Sequence, residues 1–111
     1  MKKIKAVSKF VRVSPKKAKL AAALIRGLKV NEAMVQLKYS HLKSGHLLLK
    51  TLKSAIANAE TREDLKRENL KIDEVRVEEG VRLRRAKARS RGSQVPVIKR
   101  TSHFTIVLKS V

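Results

Sequence analysis

Cysteine is absent, which removes disulfide frameworks, Cys-based zinc sites and thiol nucleophiles together and suits a reducing compartment. Aromatics are nearly so: Phe10, Tyr39 and Phe104 are the whole set, too few to build base-stacking platforms in number, which favours recognition of backbone and shape. No apolar run approaches the roughly 18 residues that span a bilayer, and Lys5 and Lys9 interrupt the stretch behind the N-terminal lysines that could have made a signal peptide. Acids are scarce as well, nine against 28 Lys and Arg, leaving a formal charge of +19 on 111 residues. Such an excess repels itself in any compact state and points to a polyanionic partner, nucleic acid or an anionic membrane face. The length allows one domain, and 42% hydrophobic residues in patterned runs exclude a disordered basic tail.

Those runs have readable periods. Residues 4–13 alternate loosely and predict a short strand or arm. Ser14-Pro15 then reads as an N-cap followed by proline at the first helical position, and Ala18, Ala21, Ala22 and Ile25 continue at helical spacing to Gly27, which can end the helix left-handed. The spacing predicts a helix over 15–26. Asn31 is the expected cap of a second helix ending near Lys38, with Val30 and Val35 closing as a hydrophobic staple and Met34 and Leu37 facing the core. Ser40 or Ser44 is expected to open a third helix, whose stripe of Gly45, Leu48, Leu49, Leu52, Ala55, Ile56 and Ala59 is the strongest helical pattern in the chain. Residues 61–69 read as a solvated connection.

From Leu70 the period becomes two. Leu70 and Ile72 share one parity and Val75, Val77, Val81 and Leu83 the other, which implies a bulge or bend near Asp73 and Glu74. Ile98, Phe104, Ile106 and Leu108 form the return run. An antiparallel pair with its apolar side chains on one face then matches Val75 with Ile106, Val77 with Phe104 and Leu83 with Ile98, around a turn near Ser90 and Arg91 beside Gly92. Two strands of up to about 15 residues would reach roughly 45 to 50 Å, far beyond what one small core covers. The distal part, about residues 80–100, must project from a globular part made of about 1–79 and 101–111. Pro96 on the return arm has no amide to give to the ladder.

Between Gly80 and Arg100 stand eight cations, Arg82, Arg84, Arg85, Lys87, Arg89, Arg91, Lys99 and Arg100, and no acid. An isolated ribbon is marginal in water, so this one is expected to be held by an anion along its length. Six of the eight are Arg, whose planar fork holds phosphate bidentately or stacks on bases, which suits a structured RNA. Lys16 and Lys17 stand at a predicted helix N-terminus and can close over a phosphate held by backbone amides. Catalysis and metal binding find no support. His41 and His46 are five residues apart, off the spacing of two ligands on one helix face; His103 fits a hydrogen-bonding or phosphate-contacting role; and Glu78 and Glu79, adjacent on a strand, face opposite ways. A free-standing architectural DNA-binding module with a basic ribbon is the alternative, although the tip Arg89-Ser90-Arg91-Gly92-Ser93 carries no apolar wedge.

Four blocks resemble the signatures of the large-subunit ribosomal protein twenty-two family, of bacterial or organellar type. They are Phe10-Val11-Arg12-Val13-Ser14-Pro15-Lys16-Lys17-Ala18, Leu24-Ile25-Arg26-Gly27, Ser54-Ala55-Ile56-Ala57-Asn58-Ala59-Glu60 and Lys99-Arg100-Thr101-Ser102-His103-Phe104. The resemblance implies an α+β fold, three helices packed on a small three-stranded antiparallel sheet with a long projecting β-hairpin. It implies a structural constituent of the large subunit, in the cytoplasm or an organellar matrix, that binds 23S-type rRNA, touches neighbouring large-subunit proteins and helps assembly. The hairpin tip would line the nascent-peptide exit tunnel and meet the nascent polypeptide. It calls for no cofactor, no metal, no membrane and no homo-oligomer. Carried over by position, the cations before the tip are Arg84 and Arg85, the tip residues Arg89, Arg91 and Gly92, and the returning pair Lys99 and Arg100. The chain departs from the family pattern at Ala88, where Pro is usual, and at Ser93, where a further Arg is frequent, so its tip should be less stiff and one charge poorer.

Overall fold

The computed structural model of the chain describes residues 3–88, 92 and 94–110, with 83–88 and 94–98 described by their backbone. The elements run β1 (Lys3–Val11), α1 (Pro15–Ile25), α2 (Val30–Lys38), α3 (Lys43–Arg62), a 3-10 turn at Arg67–Asn69, β2 (Leu70–Glu79), β3 (Leu83–Ala88), β4 (Gln94–Lys99) and β5 (Ser102–Ser110). The fold is α+β: β1, β5 and β2 form an antiparallel sheet in that order, the helices cover one of its faces, and β3 and β4 form a separate two-stranded sheet.

The apolar periods decide which faces are buried. Leu48, Leu52, Ala55, Ile56 and Ala59 of α3 cover β1 and the central strand β5 with its Phe104, Ile106 and Leu108, while Ala18, Ala21, Ala22 and Ile25 of α1 fill the same core between β2 and α3. The alanines let the two helices approach closely. Gly27 ends α1 at φ +81°, as a left-handed C-terminal residue requires. The chain then returns along the free edge of β2, where Ile72 N–H donates to Leu28 C=O at 3.0 Å and blunts that edge.

The helix starts differ from expectation. Ser14 occupies the N-cap of α1 without a capping bond from its side chain. Helix α2 begins at Val30, capped by Lys29 and not Asn31. Val30 is therefore already helical and fully buried, while Val35 is 56% exposed, so no staple forms. Helix α3 opens at Lys43 after Leu42. Ser40 instead accepts the Leu42 N–H at 3.1 Å, and Ser44, inside the first turn, is buried and donates to Lys17 C=O at 3.3 Å. At α2 and α3 the packing of residues near the start sets the boundary, and it outweighs the gain from a side-chain cap, which is only about 1 kcal/mol.

Strand β2 bulges between Ile72 and Glu74, where the parity change requires it, and pairs Val75 with Ile106 and Val77 with Phe104 as expected. Asp73, at the bulge, reaches across the outer face to Lys3 on β1 (3.1 Å) and Lys109 on β5 (3.7 Å), so one carboxylate ties all three strands. The bond to Lys3, and the charges of Lys3 and Lys109, hold its pKa below the ordinary value against the opposing effect of burial. A carboxyl depressed in the folded state stabilises above its unfolded pKa and ceases to as pH falls through the folded one. Acid unfolding should therefore show wild type losing stability relative to Asp73→Asn below about pH 4, the two converging at the acid end and the gap at neutral pH shrinking in high salt. A constant gap at all pH values would show that Asp73 contributes by packing instead.

Candidate nucleic-acid interface

The hairpin is two ladders with a joint between them, which corrects the single ribbon expected from parity. Gly80 N–H still bonds Thr101 C=O at 2.9 Å, in register with β2 and β5. The distal ladder pairs Leu83 with Lys99 and Arg84 with Ile98, one step away from the expected Leu83 and Ile98 match. Three steps along one strand therefore face two along the other. The Thr101 hydroxyl fills the irregularity by donating to Val81 C=O at 2.6 Å, and Arg82 closes it by pairing with Glu79 at 2.5 Å. That bond is the main cause of the lowered pKa of Glu79.

The extra residue reassigns faces. By register, positions 83, 85, 87, 95, 97 and 99 share one face of the distal ladder, which puts positions 85, 87 and 99 on the same face, whereas position 84 lies on the other with 86, 88 and 96. The last described pair is Ala88 with Gln94. Of the expected tip, Arg89, Ser90, Arg91 and Ser93 lie outside the described residues; Gly92 has φ +72°, a conformation glycine suits. The chain extends 62 × 25 × 17 Å, and its radius of gyration is 17.0 Å where about 13 Å is usual for a compact domain of this length.

At the root of this finger lies an open cleft of about 680 Å³. Arg12 from the end of β1, Lys17 from α1, Lys43 from α3, and Lys99 and Arg100 from the finger's return line it beside His41, and among the described residues no carboxylate does. The N-termini of α1 and α3 both lie at its wall through Ser14 and Ser44, neither helix with a side-chain cap, and the Ser44 hydroxyl bonded to Lys17 C=O holds them together. Each helix start carries roughly half a positive charge. Cations and helix starts gathered in this way have the charge and the donors that phosphate groups require.

Of the residues expected from sequence, the fold joins Lys17, Lys99 and Arg100. Lys16 is exposed one position along α1 and does not line the cleft. Arg82 is engaged by Glu79. His103 stands apart from the cleft, where its Nδ1 accepts the Phe10 N–H at 3.1 Å. Arg12, His41 and Lys43 were not among them: the first and last are 31 positions apart in sequence, and only the crossing of β1, α1 and α3 makes them neighbours. No local pattern in the sequence marked them, because the three come together only in the fold.

The family described as Ribosomal protein L22p/L17e matches residues 6–109. The chain belongs to that family. It is 58% identical over 107 residues to the Large ribosomal subunit protein uL22 of Protochlamydia amoebophila, covering 96% of each chain. It is 52% identical over 104 residues to the protein of the same name from Chlamydia pneumoniae, covering 94% of each. Membership agrees with the fold: a sheet with three helices on one face and a basic hairpin beyond it.

The joint leaves little room at Gly80. A Cβ added at Gly80 would stand 2.5 Å from Thr101 Oγ1 and 3.1 Å from His103 Cε1. Because the hydroxyl is committed to Val81, Gly80→Ala should cost about 1–3 kcal/mol in denaturant unfolding and loosen the finger's root, seen as faster amide exchange at 80–83. Unchanged stability and exchange would mean the joint yields freely.

Proposed function

We propose that the chain is anchored on large-subunit rRNA by one cationic surface that begins in the cleft and continues along the finger, in ribosomes of the cytoplasm. As a member of its family it is a structural protein of the large ribosomal subunit and not an enzyme. The observation that carries the anchoring is the cleft: five cations and two helix starts converge where the finger leaves the sheet, with no acid among them. Along the finger Arg85 and Lys87 continue the surface on the face of Lys99, Arg84 adds a cation on the opposite face, and Arg89, Arg91 and the tip residues Ser90, Gly92 and Ser93 would extend it to the wall of the exit tunnel, beside the nascent polypeptide. Residues 80–100 form the finger and the remainder one globular unit. Leu24, exposed on α1 and outside the cleft, offers apolar contact to neighbouring large-subunit proteins. Family membership removes the reason to prefer a free-standing DNA-binding module.

Phosphate contact is read by salt. Removing one cation from a phosphate makes the slope of log affinity against log salt shallower by about 0.7–0.9, so Arg12→Gln with Lys43→Gln should reduce it by roughly 1.4–1.8 on a large-subunit rRNA transcript. Charge reversal at Arg84 and Arg85 should weaken binding and incorporation into large subunits more than reversal at Lys38 and Lys53, which lie on the α2–α3 side. Equal effects of the two reversals, together with an unmoved slope in the cleft variant, would refute this anchoring.

A further inference from the structure

Phe10 combines three properties that conflict in a purely structural residue. It is 59% exposed, it adopts φ +59°, a conformation that costs a side chain of its kind about 1–2 kcal/mol, and it sits at an irregularity that breaks the pairing of β1 with β5 between Ser8 and Val11. Scattered exposed hydrophobes are ordinary on protein surfaces; one lifted out by a left-handed backbone is not. The lift is held in place. Phe10 N–H donates to His103 Nδ1, which fixes the imidazole as acceptor there, and the two rings meet edge to face at 5.1 Å and 86°. Gly80 lies against the imidazole with little room for a Cβ, so the finger's joint braces the ring that braces Phe10.

We infer that Phe10 is a stacking site for an unpaired base of the bound RNA. The inference rests on the rRNA anchoring proposed above and adds to it a contact that is neither ionic nor on the finger. Two positions further on, at most about 7 Å of chain, Arg12 enters the cationic cleft, so RNA whose phosphates occupy the cleft passes within reach of Phe10. An edge-to-face pair leaves aromatic surface for an offset partner, and every base has a face to offer. Exposed Lys9 beside Phe10 adds attraction for the same strand.

The decisive variant is Phe10→Gly, because glycine tolerates φ +59° and retains the N–H bonded to His103. Its thermal midpoint should equal or exceed that of wild type, while affinity of the full chain for a large-subunit rRNA transcript falls about 5- to 100-fold with an unchanged salt slope. Phe10→Tyr should bind as wild type does. Irradiation of the wild-type complex at short ultraviolet wavelength should yield a nucleotide adduct on Phe10. The inference is overturned if Phe10→Gly binds as tightly as wild type, if it loses stability and affinity together, or if Phe10 forms no adduct with RNA. Should the cleft substitutions move the slope while Phe10→Gly leaves affinity untouched, the anchoring stands and this contact alone falls; if neither has an effect, both fall.

Discussion

Self-repulsion among positive charges is the constraint under which this chain folds. With an excess of +19 and nine acids, carboxylates are too few to neutralise the surface, and where they stand is informative. Asp73 ties three strands, Glu74 and Glu78 flank Arg76, Glu79 holds Arg82 at the joint, and Glu60 meets Arg67 at the end of α3. None lines the cleft. Exposed ion pairs are individually weak, so these contribute more to local geometry than to stability. The cleft is left with its charges concentrated and a polyanion as the natural source of compensation.

The sheet and the finger solve different problems. The three-stranded sheet is buried on one face by helices and obtains its stability from Phe104, Ile106 and Leu108 against alanine-rich helices. Among the described residues the two-stranded ladder pairs chiefly with itself and has no helix over it. Between them, Gly80, Thr101 and the Glu79–Arg82 pair accommodate one extra residue, which turns the ladder's faces relative to those of the sheet. Loss of apolar continuity across the joint lets the distal faces follow the needs of a partner and not those of the core.

Much of this was legible in the residues. The long stripe of α3, the small-residue stripe of α1, the left-handed Gly27 and the bulge beside Asp73 follow from period and parity, because each reflects a whole face being buried. Helix starts were less legible: Asn31, Ser40 and Ser44 are good caps in isolation, yet burial of Val30 and Ser44 moved the boundaries. The register slip was illegible for a related reason. Parity assumes an uninterrupted ladder, and a threonine hydroxyl substituting for a ladder bond is a tertiary event with no period. The basic finger was evident as a charge run, whereas the cleft, assembled from distant segments, had no local signature.

Lysine acetylation of the full chain, free and bound to large-subunit rRNA, tests the electrostatic account most directly. Lys17, Lys43, Lys87 and Lys99 should become protected on binding while Lys38, Lys53 and Lys66 stay reactive. Uniform protection, or protection confined to the second group, would contradict it.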